Sequence, residues 1–237
     1  DTGWLGRATD ALWERIQPTT PGVFVGNIPR PFGINAATAV VPSLRANPQL
    51  HPRPQFAIIP DSPAAANQEA LHTSTSASNP LVEHIQSSLV MARTHAGRLA
   101  QELAPAARTP AYPACDLGND LRTVAQLVRA ETGIRIFYTE LGGGRIGGFD
   151  NHANQLGNHC ALLQQLSDSI TAFLVDLASH QLLDEVLLLT FSEFGRTVTE
   201  NGRRGTDHGL AGPMFLAGNR IRGGIHGAHP SLSDLEG

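Results

Sequence analysis

The chain has 237 residues, of which 41% are hydrophobic and 16% charged, and a net charge of −4 with histidine neutral. That length can bury a full core, and the composition excludes an intrinsically disordered chain. Lys and Arg form no run, which speaks against a nucleic-acid partner or an anionic membrane surface, and no apolar stretch is long enough to span a bilayer.

A single α/β domain over residues 1–237 is expected. Leu5–Gln17 (LGRATDALWERIQ) repeats apolar residues at helical spacing (Leu5, Ala8, Leu12, Trp13, Ile16) and stops at Pro18, so it reads as a helix. Val23-Phe24-Val25 between glycine and proline reads as a short strand. From Pro29 to Pro63 prolines recur (Pro29, Pro31, Pro42, Pro48, Pro52, Pro54, Pro60, Pro63), which argues against long helices and central strands there. This stretch is read as a proline-rich surface excursion.

Asn79 and Pro80 are placed to open a helix running to about Leu103. Asp116–Thr132 carries Leu117, Leu121, Val124, Leu127 and Val128 on one side and is closed by Gly133, again a helix. Ile134–Leu141 then reads as a strand. A long helix from about Asn154 to Gln181 follows a glycine-rich loop. The next segment, Leu182–Thr190, is nearly continuous in Leu and Val, as expected of a strand covered on both faces. The alternation of helices and strands predicts a mostly parallel central sheet flanked by helices. The two cysteines, Cys115 and Cys160, are far apart and in no C-x-x-C motif. They are expected to be small buried side chains, with a disulfide as the alternative. The first residue is Asp1, preceded by neither Met nor a signal sequence. Either a leader has been removed or the chain is an internal piece of something longer.

Chemistry-bearing residues gather in the loops that follow the two later strands. Gly142–Gly147 (GGGRIG) matches G-x-G-x-x-G, but the acidic residue a dinucleotide site needs about twenty positions on is missing, since Asp168 falls inside a helix. A flexible strand-to-helix turn is the better reading. Asp150 and His152 (Asp-x-His) can serve one metal, or Asp150 or Asn151 can cap the following helix. Glu193, directly after a hydrophobic strand, lies where α/β proteins bind ligands, or else pairs with Arg196 to order the loop. Ser192 is no elbow nucleophile, because SEFG is not G-x-S-x-G. Asp207-His208-Gly209 is either a metal or acid–base piece or a turn. Together Asp150, His152, Glu193, Asp207 and His208 form a mixed nitrogen and oxygen set without thiolate, suited to a divalent ion such as zinc or manganese. His226 and His229 (GGIHGAHP) read as a surface turn. His72, His84, His95, His159 and His180 read as surface or packing residues.

TGWLGR at Thr2–Arg7, GGFDNHANQ at Gly147–Gln155 and SEFGRTVTENGRRGTDHG at Ser192–Gly209, followed by PMFLAG, resemble the bacterial domain of unknown function 1501 family. That family is placed in the alkaline phosphatase/sulfatase-like superfamily, and its members commonly carry twin-arginine export signals. The resemblance implies a central α/β sheet with a binuclear metal site at the strand carboxyl ends. Asp150 and His152 then look like ligands of one metal, Glu193 an acidic ligand of the other, and His208 the final histidine. Where the superfamily often has Asp-His, this chain has Glu193-Phe194, so one histidine ligand is lost. The resemblance also implies that further segments belong at both ends, including an early acidic ligand and a nucleophile, so the chain is expected to be a fragment with an incomplete sheet. It implies a periplasmic or secreted protein.

Two functions follow as expectations. One is a metal-dependent hydrolase acting on a small anionic ester of phosphate or sulfate, with Glu193 and Arg196 as catalytic residues and Arg196, Arg203 or Arg204 holding the anion. The other is a non-catalytic exported module that keeps the fold for binding or assembly, motivated by Phe194 and by the lack of a nucleophile motif. A nucleotide-cofactor enzyme based on GGGRIG is a third, poorer reading.

Overall fold

The computed structural model describes residues 2–16, 20–45, 57–58, 110–142 and 147–232. The protein is mixed α/β and falls into two compact units, Asp1–Glu140 and Leu141–Gly237.

The first unit is built on a small sheet. Helix α1 (Trp4–Ile16) leads into β1 (Gly22–Val25), and β2 (Ser43–Arg45), β3 (Ala57–Ile58), α2 (Asp116–Arg129) and β4 (Ile136–Tyr138) follow. The strand order is β3-β2-β1-β4. β1 runs parallel to both β2 (Val25 opposite Leu44) and β4 (Val23 opposite Phe137), and β3 is antiparallel to β2. Val23, Phe24 and Val25 are fully buried, because a parallel strand between two neighbours has both faces covered. Phe24, Ile34 and Val41 centre the core, with Leu5, Ile136 and Tyr138 packed around them. Gly6 lets α1 lie directly on the turn after Ile34. A Cβ there would stand 1.8 Å from the Asn35 carbonyl oxygen, so any side chain would push the helix off.

The helix over Leu5–Gln17, the strand around Phe24, the helix from Asp116 and the strand through Ile136 all form close to where the sequence places them. The exclusion of central strands from the proline-rich stretch is corrected: β2 lies within it, at an interior position of the sheet. Pro42 is tolerated because it precedes the strand and contributes only its carbonyl, which accepts the N–H of Phe24 at 3.0 Å. Residues 46–56 and 59–63 of that stretch, and the helix expected from Asn79 to about Leu103, lie outside the described residues. Cys115 is the residue before α2, where its Sγ accepts the N–H of Gly118 at 3.4 Å. The two cysteines form no disulfide with each other, and neither is buried as expected: Cys115 is half-buried and Cys160 exposed.

The second unit holds α3 (Gln155–Ser179), β5 (Leu188–Thr190), β6 (Gly195–Arg196), β7 (His208–Gly209) and β8 (Phe215–Ala217). α3 buries Leu162, Ala172, Phe173 and Leu177. The expectation of parallel pairing fails here. β5 pairs antiparallel with β8 (Leu189 opposite Leu216), and β6 antiparallel with β7 (Arg196 opposite His208). No helix intervenes between β5 and β8, so the chain returns without the crossover a parallel pair requires. The Leu/Val strand is also shorter than expected and only half-covered, with Leu187 63% exposed.

Candidate metal centre

Three side chains converge in the second unit. Asp150 and His152 lie in the loop before α3, and His208 opens β7. One carboxylate oxygen and one ring nitrogen from each histidine all lie within 4.8 Å of one another. His152 Nε2 and His208 Nε2 each stand 2.8 Å from the same atom, Asp150 Oδ1. The β6–β7 pairing brings the two loops together by setting His208 opposite Arg196. Arg196 then reaches the first loop: Nη1 donates to the Thr206 carbonyl at 2.7 Å, Nη2 donates to the Phe149 carbonyl, and Nη2 lies 3.8 Å from Asp150 Oδ1. His159 on α3 packs edge-on against Phe149 and holds the same loop from beneath.

The choice between a metal piece and a helix cap at Asp150-Asn151 resolves by division. Asn151 makes the local turn, its Oδ1 accepting the N–H of Ala153 at 3.0 Å, and Asp150 is left for the cluster. The first N–H groups of α3 are served from elsewhere. Asn154 N donates to Arg203 O and Gln155 N to Arg204 O, both at 3.0 Å.

Asp207 stands behind His152. Its Oδ1 is 3.0 Å from His152 Nδ1, and it is not one of the three converging donors. Carboxylate–histidine pairs of this kind fix which ring nitrogen carries the proton and leave the other to a metal. Both carboxylates are held below the ordinary range. For Asp150 the hydrogen bond from His208 acts most, then that from His152; for Asp207 it is the bond from His152, then that from Asn201. An ionised carboxylate can only accept. His152, with a carboxylate oxygen on each ring nitrogen, must therefore donate from both nitrogens or give the Nε2 lone pair to a cation. In the second arrangement His208 Nε2, at the same distance from Asp150 Oδ1, can turn its lone pair to the same cation, so two imidazoles and one carboxylate fit a single divalent ion.

Glu193 is exposed and does not join the cluster. The Ser192 hydroxyl donates to the Phe194 carbonyl at 2.8 Å, bending the chain at Glu193 and turning Phe194 towards His208. The Phe194 ring stacks on the His208 imidazole, with centroids 4.2 Å apart and planes 12° off parallel. The expected Glu193–Arg196 pair is absent among the described residues. Arg196 is a clamp between the loops, with its Cζ 5.0 Å from the Phe194 ring. Arg203 and Arg204 are exposed beside the cluster. His226 and His229 sit on an exposed turn and bond only backbone carbonyls. His180 ends α3 and bonds the Asp176 carbonyl at 2.9 Å. Most of GGGRIG, together with His72, His84 and His95, lies outside the described residues.

The molecule is thus a mixed α/β protein with a histidine–carboxylate cluster in its second unit. The family model described as "Protein of unknown function (DUF1501)" matches residues 56–235, and the chain belongs to that family. The match includes the whole cluster and leaves out TGWLGR near the start. No curated protein and no solved structure matches the chain.

Proposed function

We propose that the protein is a divalent-metal-dependent hydrolase of small phosphate or sulfate esters, exported from the cytoplasm, with an alkaline phosphatase/sulfatase-like fold. What carries this reading is the convergence of Asp150 Oδ1, His152 Nε2 and His208 Nε2 on one point. The parallel pairing of β1 with β2 and β4 supports the fold assignment. An ion bound by these three supplies Lewis acidity towards an ester oxygen. Asp207 orients His152, Phe194 fixes the plane of His208, and Arg196 holds Asp150 in place through the Phe149 carbonyl. Arg203, its side chain 66% exposed and its Nη2 3.8 Å from Asp207 Oδ1, is the guanidinium we assign to meet the anion beside the cluster. Glu193, bent away from the cluster, is left on the solvent side as a proton acceptor.

The test is metal content and turnover of aryl phosphate and aryl sulfate esters. Purified protein should bind about one zinc or manganese ion per chain, and His208→Ala should lose both the ion and the activity. Activity indifferent to His208→Ala sinks the reading. A second reading, a binding or assembly module without catalysis, draws on Phe194 covering one face of His208 and on Glu193 standing outside the cluster. It predicts partner retention that survives chelation and Asp150→Ala.

A further inference from the structure

We propose that Asn201 is the positioning residue of this cluster: through Asp207 and the His152 main chain it sets which nitrogen of His152 faces Asp150 and His208 as a lone pair. The inference rests on the metal reading above and assigns the residue that maintains it.

Asn201 lies in the turn between β6 and β7 and touches none of the three converging donor atoms. An asparagine amide offers two N–H donors and two acceptor lone pairs, and here all four are used. Nδ2 donates to the His152 carbonyl and to Asp207 Oδ1, each at 3.1 Å. Oδ1 accepts the N–H of Arg203 at 2.9 Å and of Gly205 at 3.2 Å. The amide has only one orientation that fits, because one end faces two N–H groups and the other faces a carbonyl and a carboxylate. The Asn201 backbone closes the same turn, its N–H donating to Gly205 O at 2.8 Å, with Arg204 in the left-handed region at φ 59°. Three bonds within its own turn therefore fix Asn201 before it meets the cluster.

The consequence passes along one line of hydrogen bonds. Asp207 Oδ1 receives both Asn201 Nδ2 and His152 Nδ1. Its backbone N–H is anchored at 3.1 Å on Thr197 Oγ1, so Asp207 is held through its main chain as well as through Oδ1. A carboxylate so held keeps the proton of His152 on Nδ1. The second bond, from Asn201 to the His152 carbonyl, fixes the main chain from which that ring projects. One side chain thus sets both the position and the tautomer of a ligand. Removing such an outer partner costs about 10–100-fold in metal affinity in comparable sites.

The test uses Asn201→Asp in the full chain. That change keeps both acceptor bonds of the turn but puts a carboxylate oxygen where Nδ2 now donates to Asp207. Zinc titration and ring-nitrogen NMR of His152, assigned with His152→Ala, are read together. The expected result is zinc affinity lowered about 10–100-fold and a His152 ring that no longer holds its proton on Nδ1 alone. Asp207→Asn in the same two assays should give the same pair of changes, and it decides the matter if the Asn201 variant does not fold. Wild-type zinc affinity and tautomer in either folded variant overturn the proposal. If wild-type protein binds no zinc, the metal reading falls by itself. The NMR arm still decides Asn201: an unchanged tautomer in the variants overturns its role, and an altered one supports it.

Discussion

Asp120 on α2 carries a prediction that reaches the whole first unit. Its side chain is 1% exposed, and Oδ1 has no hydrogen-bond partner among the described residues. Burial, with Asp116 one turn away adding like-charge repulsion, pushes its carboxyl from 3.8 up to about 8. At about 1.4 kcal/mol per pH unit, the folded state prefers the neutral acid by on the order of 6 kcal/mol. Between those two values the folded state binds a proton that the unfolded chain has released. Stability is therefore undiminished below about pH 4, falls as pH rises towards 8, and levels off beyond. Asparagine at this position is neutral at every pH. Asp120→Asn should gain on the order of 4 kcal/mol relative to wild type between pH 5 and pH 8.5, whatever constant offset its amide adds. Urea unfolding at a series of pH values measures this directly. Tryptophan fluorescence reports on the right unit, because both tryptophans, Trp4 and Trp13, lie on α1. Wild-type and variant curves that run parallel across that window would refute the reasoning, since Asp120 would then be ionised and paired in the folded protein.

Two further changes test close packing and charge. Gly205→Ala would set a Cβ 2.4 Å from the His152 carbonyl oxygen, so the cluster loop must shift. Zinc affinity should fall and about 1–3 kcal/mol of stability should be lost, while Gly202→Ala, whose Cβ would meet nothing within 4 Å, should change neither. For Asp10, burial acts to raise the carboxyl, but the N–H groups of Ala39, Ala37 and Thr38 together outweigh it and hold it below 3.8. Its stabilisation is present above that value and is lost as pH falls through the lower folded one. Asp10→Asn, which keeps one acceptor oxygen and whose charge is screened by solvent, should cost about 1 kcal/mol in hydrogen bonding at neutral pH and flatten the acid limb of the stability curve; coincident acid limbs would count against it.

How much was legible in the sequence differs between the fold and the cluster. Local periodicity located α1, α2 and α3, because amphipathic spacing is written within a dozen residues. It located β1 and β4 as well, through short β-branched and aromatic runs. Proline frequency misled at β2, because what matters is whether the lost N–H was needed, and Pro42 stands just outside the ladder. The Leu/Val run before Thr190 suggested a parallel strand, but direction depends on how the chain returns, and β8 comes back without a helix.

Within the cluster, residue type was enough to nominate Asp150, His152 and His208, since carboxylate and imidazole are the groups able to share a divalent ion. It could not separate Asp207 and Glu193 from them. Those assignments depend on hydrogen bonds between residues distant in sequence, such as His152 with Asp207, and on the bend at Ser192 that exchanges Glu193 for Phe194. Asn201 left only a faint trace, as a turn residue ahead of Asp207-His208. The sequence by itself determined which side chains have the chemistry to hold an ion and where the three long helices of the described residues lie. Only the tertiary structure decided which donors meet and which stand behind them, because that is set by β6–β7 pairing and loop closure between positions some fifty residues apart.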